Sequence, residues 1–395
     1  MTVQTDWITW LGVISQIFPL LYFIGGFLLM FALGPAMIAR LKALKGTKWA
    51  PREDTPDSHA AKAGTPSMGG IGIIGSATFV YLALLVNTVI LGIYLSGAND
   101  LYPVSYVAGA LLFPVVVVLH AFLGFADDNS KARGNGGLLA RQKLAGQVIL
   151  AVSFLAGALL MGFQLTKNLT PFWQTAAIFV LCCLVIIGTS NAVNLTDGID
   201  GLAAGLAVQV GLAMGFVQFF WLYWMLYKIS NPTSSIGLAE AGTVGVGDPD
   251  TFSSSTPSPD VALFWLALAG ACLGFLAYNK NPARVFMGDT GSLALGAALG
   301  AGAILTKTVF LLPFIGFIFF VEMFSVIFQV AYFKYTKKKF GEGKRLFRRA
   351  PLHHHYELGG WREWKVVVVF WGINALTTIL GLFLWSRGII PAFPN

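Results

Sequence analysis

The chain has 395 residues, of which 56% are hydrophobic and 11% charged, and its mean hydropathy is +0.72. Soluble domains carry about 25% charged residues, so the composition excludes a soluble globular protein and fits a polytopic membrane protein. The net charge of +8 would suit a nucleic-acid binder, but all but four of the 26 Lys and Arg fall in stretches 40–65, 127–143, 279–288 and 334–365, a pattern belonging to membrane topology.

Apolar runs of membrane-spanning length, about 17–25 residues each, occur at 16–39, 67–94, 104–126, 144–163, 171–190, 202–226, 261–278, 290–307, 309–333 and 365–386. They predict an all-α polytopic protein of about ten transmembrane helices, forming one integral membrane domain over 1–395. Only Thr306-Lys307-Thr308 separates the eighth run from the ninth. The positive-inside rule places the basic stretches in the cytoplasm and both termini outside, together with Lys167, Lys228, Lys307 and Arg387. Met1–Trp10 has no basic region and no small-residue cleavage site, so no removable signal peptide is expected. Trp7 and Trp10 are candidate interface anchors. Cys182, Cys183 and Cys272 lie inside apolar runs and read as small buried hydrophobes.

The first basic stretch ends in Lys62-Ala63-Gly64-Thr65-Pro66-Ser67-Met68-Gly69-Gly70, where Gly and Pro fix a tight backbone; Lys62 is either a topology signal or a site residue. The third run ends in Asp127-Asp128-Asn129-Ser130-Lys131, followed by Arg133, Arg141 and Lys143. Adjacent carboxylates repel unless a cation or proton intervenes. They are candidates for Mg²⁺ or general-base work, with Lys and Arg available for phosphates. Asn194-Leu195-Thr196-Asp197-Gly198-Ile199-Asp200-Gly201 sits between the fifth and sixth runs. It reads as a polar turn or as acids placed at a membrane edge for function.

Residues 228–260 are rich in Ser, Thr, Gly and Pro and predict an extended external loop. Beyond the seventh run comes Asn279-Lys280-Asn281-Pro282-Ala283-Arg284-Val285-Phe286-Met287-Gly288-Asp289, with Asp289 an N-cap or a site carboxylate. Gly296 and Gly300 suit close helix approach. Glu322, inside the ninth run, reads as a hydrogen-bonded structural residue. In the last basic stretch, Lys337-Lys338-Lys339 suits an anionic lipid surface. Neighbouring side chains in Pro351-Leu352-His353-His354-His355 do not converge easily on one metal, so hydrogen bonding to phosphate is preferred to zinc.

Carboxylates, lysines and histidines gathered on one membrane face suit Mg²⁺-assisted phosphoryl transfer. A Gly-x-x-x-x-Gly-Lys-Ser/Thr loop is missing, which excludes a P-loop enzyme. The Asp127–Lys131, Asn194–Gly201, Asn281–Gly291 and Pro351–His355 motifs, with Gly64–Gly70, resemble in order the phospho-N-acetylmuramoyl-pentapeptide transferases, within the polyprenyl-phosphate N-acetylhexosamine-1-phosphate transferases. The resemblance covers roughly 15–390, and the histidine and Gly64–Gly70 runs point to the muramoyl branch.

The resemblance implies transfer of phospho-MurNAc-pentapeptide from UDP-MurNAc-pentapeptide to undecaprenyl phosphate, giving lipid I and UMP for peptidoglycan. It implies Mg²⁺ on Asp289, with Asp127, Asp128 and Asp289 catalytic. Lys131, Lys143, His353, His354 and His355 would hold phosphates. Lys62, Gly198, Ile199, Asp200, Asn279 and Phe286 would form the uridine pocket, with Phe286 stacking on the base, and Asn194 and Asp197 would belong to the polar site loop. It further implies a homodimer in the bacterial inner membrane, with its active site cytoplasmic. Two alternatives remain: a transferase for another UDP-N-acetylhexosamine, and an ion-coupled transporter.

Overall fold

The structure is a computed structural model, and it describes residues 3–44, 62, 64–96, 104–161, 163, 165, 171–230 and 259–390. These residues form helices α1 (Val3–Ala43), α2 (Gly70–Ser96), α3 (Val104–Ala132), α4 (Ala140–Leu160), α5 (Phe172–Thr196), α6 (Leu202–Ser230), α7 (Pro259–Asn279), α8 (Gly288–Leu305), α9 (Leu312–Ile315), α10 (Phe317–Phe340), α11 (Leu352–Glu357) and α12 (Glu363–Ser386). No strand occurs among the described residues. Among the described residues eight helices are long and apolar enough to cross a membrane, and α2 and α6 are apolar over Gly70–Val86 and Leu202–Val217. The chain is an all-α polytopic membrane protein. Trp7 and Trp10 lie on α1, with their side chains outside what is described, as are residues 231–258 of the external loop.

The sequence explains which helix takes the centre. Helix α8 packs on α2, α3 and α5, and every residue from Thr290 to Ile304 is buried. Nine of those fifteen are Gly or Ala, so backbones can approach closely. A Cβ at Gly296 would strike the Ser190 and Thr189 backbone of α5. A Cβ at Gly124 of α3 would strike the Asp289 carbonyl. The start of α8 is thereby pressed against the end of α3, which brings Asp289 beside Asp127 and Asp128.

The ninth apolar run is not one helix. It opens with a 3-10 turn over Val309–Leu311, continues as α9 and breaks at Gly316 before α10. Backbone groups freed within a bilayer need partners, and α12 supplies them. Asn374 Nδ2 donates to the Ile315 carbonyl at 3.1 Å, and its Oδ1 accepts from Ile318 N–H at 3.3 Å. The three cysteines are free and buried.

Candidate active site at one end of the bundle

Segment 62–70, the end of α3, the α5–α6 turn, the α7–α8 turn and the start of α12 meet at one end of the bundle. Backbone bonds fix the first to the fourth. Phe286 N–H donates to the Pro66 carbonyl at 2.8 Å, Gly69 N–H to the Phe286 carbonyl at 2.8 Å and Gly70 N–H to the Met287 carbonyl at 2.9 Å.

At the start of α8, two carboxylates face two ammonium groups. Asp289 Oδ2 lies 2.8 Å from Lys131 Nζ and 2.8 Å from Lys143 Nζ. The same amines reach Asp127 Oδ2 at 2.9 and 3.6 Å. Asp127 Oδ1 accepts the Leu138 N–H at 2.6 Å. Gly137, at φ +92°, closes over it where a Cβ would come within 2.8 Å of that oxygen. Asn194 Nδ2 donates to Asp289 Oδ1 at 2.7 Å and to Ser292 Oγ at 2.8 Å, and its Oδ1 accepts from Lys143 at 3.3 Å.

Asp128 has a different position. Its carboxylate accepts Asp289 N–H at 3.1 Å, Thr290 N–H at 2.9 Å and Thr290 Oγ1 at 2.7 Å. It caps α8 from a neighbouring helix, satisfying donors the helix leaves free and placing negative charge at its positive end. The two acids are neighbours in the chain, but Asp128 is a brace while Asp127 opens on the lysines.

The α5–α6 turn joins this cluster to two others. Asp197, partly buried, is pushed well above the usual carboxylate range by desolvation and then by the Asp289 and Asp128 carboxylates, against a Gly288 backbone hydrogen bond. Three residues on, Asp200 is buried. Its Oδ1 accepts from Lys62 Nζ at 2.7 Å, and its Oδ2 accepts from Ala283 N–H at 2.9 Å and Asn281 Nδ2 at 3.2 Å. Glu363 completes the group, with Oε1 2.5 Å from Lys62 Nζ and 2.6 Å from Asp200 N, and Oε2 accepting from Asn281 at 2.9 Å. Asn279 is interior, bonded to Gly201 N–H at 3.1 Å and the Val285 carbonyl at 2.9 Å.

The histidines diverge. His353 is fully buried. Its N–H donates to Glu322 Oε1 at 3.1 Å, and a Cβ on Gly198 would strike its ring. Nδ1 lies 3.3 Å from Glu322 Oε1, out of hydrogen-bond alignment. His354 Nδ1 is 2.8 Å from Glu357 Oε2. Burial lowers its pKa, with the Glu357 hydrogen bond opposing. His355 Nδ1 accepts the Arg348 N–H at 3.1 Å.

The chain is similar to known proteins over most of its length. The family model described as Glycosyl transferase family 4 matches residues 110–307. A Bacillus pumilus protein named phospho-N-acetylmuramoyl-pentapeptide-transferase is 41% identical over 365 residues, covering 91% of this chain and 95% of its own. Proteins of the same name from Moorella thermoacetica and Gemmatimonas aurantiaca are each 40% identical, covering 89% and 91% of this chain and 94% and 91% of their own. The chain belongs to the phospho-N-acetylmuramoyl-pentapeptide-transferase family.

For this member of the family, the expected site residues fall into three groups. Asp127, Lys131, Lys143, Asn194 and Asp289 converge directly. Lys62 and Asp200 pair at the second cluster, with Asn279 behind them, Ile199 buried and Phe286 half-buried on its two backbone bonds. His353 touches the Gly198 turn from inside, whereas His354 and His355 are partly exposed. Sequence reasoning passed over Glu363 and the bond from the His353 backbone N–H to Glu322. For Glu363 a signal existed, since it is an acid at the opening of an apolar span.

Proposed function

We propose that the protein transfers phospho-MurNAc-pentapeptide from UDP-MurNAc-pentapeptide to undecaprenyl phosphate, releasing UMP and forming lipid I. The observation that carries this is the α8 cluster, where Asp127 and Asp289 share two lysines at a membrane edge. A phosphate could take those lysines, leaving the carboxylates for a metal or a proton. The test is UMP release from UDP-MurNAc-pentapeptide with and without polyprenyl phosphate and Mg²⁺. Turnover of UDP-N-acetylglucosamine instead would favour the broader superfamily reading.

The donor set fits Mg²⁺. Among the described residues, no three His, Cys, Asp or Glu side chains converge on one point. Mg²⁺ is commonly held by one or two carboxylates plus substrate phosphates and water. Asp289, with Asp127 beside it, would hold the ion, which when bound neutralises pyrophosphate charge. Lys131 and Lys143 would then move to phosphate oxygens. Asp128, committed to the α8 cap, would act by positioning.

We favour direct displacement by the lipid phosphate over a covalent phospho-sugar enzyme. Asp127 Oδ1 is already used by Leu138, leaving Oδ2 to orient or deprotonate an acceptor whose second pKa is near 6. Labelled UMP should exchange into UDP-MurNAc-pentapeptide only when polyprenyl phosphate is present. Exchange in lipid-free enzyme, with an adduct on Asp127 or Asp128, would reverse this.

The basic distribution supports a cytoplasmic site in the bacterial inner membrane, with both termini external. Labelling of intact cells should modify a cysteine at Ser253 and spare one at Lys344; the opposite pattern would invert the orientation. A homodimer rests on family resemblance, and cross-linking in membranes tests it.

A further inference from the structure

The second cluster contains a residue that neither the sequence motifs nor the transferase reading explains. Glu363 accepts from Lys62, from the Asp200 backbone and from Asn281, so one side chain of α12 holds together segment 62–70, the α5–α6 turn and the α7–α8 turn. Its side chain is 10% exposed, that of Lys62 11% and that of Asp200 1%.

Among the described residues the charge balance is unequal: one ammonium faces two carboxylates. Lys280, Arg284 and Arg362 lie nearby in sequence and are exposed, but the ion pairs of Asp200 and Glu363 are with Lys62. Described carboxylates take two of the three Lys62 N–H groups, and among the described residues the enclosure around the third is locally negative. Removing charge from water is costly unless it is compensated, and a phosphate beside two carboxylates meets like-charge repulsion at low effective dielectric. A neutral carbonyl acceptor meets none.

We propose that Glu363 is a specificity-determining residue for the nucleotide: together with Asp200 it keeps the Lys62 ammonium in a net-negative pocket that accepts the neutral, carbonyl-bearing base and rejects phosphate. This rests on the transferase reading and on the uridine pocket that the resemblance implies at Lys62 and Asp200, and it adds Glu363 to that pocket. The α8 cluster, with two lysines against two carboxylates, is left to the phosphates.

The experiment compares wild type with Glu363→Gln, using uridine and UMP as competitive inhibitors in the UMP-release assay. The amide keeps the side chain's shape and loses its charge. Inhibition constants for uridine and UMP should both rise about tenfold, the scale of one charge-assisted hydrogen bond. Their ratio should stay fixed, kcat should hold within about twofold, and KM for polyprenyl phosphate should not change. Glu363→Asp keeps the charge, should restore part of the loss, and carries the test if Glu363→Gln does not fold. A rise for UMP without one for uridine would place Glu363 at the phosphate and overturn the proposal. Unchanged constants would reduce it to a staple between helices and overturn it too. Wild type that releases no UMP would refute the transferase reading instead. Uridine protection against heat then decides for Glu363: a shift lost in Glu363→Gln supports the proposal, and no shift in either protein overturns it.

Discussion

The two charged clusters at the end of the bundle are built from the same side chains and balanced differently. At α8, Lys131 and Lys143 face Asp127 and Asp289 one for one, and the Lys131 side chain is 43% exposed. At α12, Lys62 alone among the described cations faces Asp200 and Glu363, with backbone and Asn281 donors supplying the rest. The first cluster can exchange partners, because its lysines are long, reachable and matched in number. The second is cross-braced by four segments and suits shape recognition. A transferase of charged groups needs both: one region where charge moves, and one that holds the handle still.

The largest break in that comparison should come from Asp289→Asn. An amide cannot replace a carboxylate as a ligand for a hard cation. Turnover should fall about a thousandfold, on the scale of lost transition-state electrostatics, while the protein stays folded. A wild-type rate and Mg²⁺ response would mean that the cluster is not the reacting centre. Next come the adjacent acids. Asp127→Asn should cost about a hundredfold in kcat, the scale of a general base, with little change in melting temperature. Asp128→Asn should instead lower thermal stability by about 1 kcal/mol, the worth of a helix cap, and reduce activity less. Reversed phenotypes would exchange their roles.

A smaller, pH-dependent effect should come from Asp197. Its raised pKa means that the folded state favours the proton. Its contribution to stability is therefore full below the ordinary carboxylate range and is lost as pH rises through its elevated value. In metal-free protein, Asp197→Asn should melt higher than wild type near pH 8, and the gap should close as pH falls towards 4. A constant gap would show that desolvation of the carboxylate is not what separates the two. The smallest effect should be at Gly198→Ala, whose methyl must displace the His353 ring. Activity should fall about tenfold, as expected for misplacement of a site loop, and a paired His353→Ala should recover part of the melting temperature.

The architecture was legible because a bilayer imposes a strong rule on composition. Nine of the ten apolar runs each coincide with one long helix, and the exception is 309–333. Its break at Gly316 depends on Asn374, about sixty residues away on α12, and no local pattern reports such a partner. The site was partly legible for a related reason. Asp127, Lys131, Asn194 and Asp289 stand out as polar residues at the ends of apolar runs, and the structure places them in contact. The separate fates of Asp127 and Asp128 were not readable, because the choice between them is made by the α8 terminus. Glu363 was missed because its partners come from three other segments. The histidine run stood out as a whole, but only the fold shows that the His353 ring lies inside, against Gly198.

The matched charges at the start of α8 also bear on how the protein responds to its medium. Because each lysine already has a carboxylate, an arriving polyanion displaces an internal counter-ion and need not bring in a new one. Association at that cluster is an ion exchange with little net change in charge. Its affinity should therefore depend only weakly on ionic strength, unlike surfaces that collect uncompensated lysines. Without ligand the same pairing leaves Asp127 and Asp289 each with an internal counter-ion.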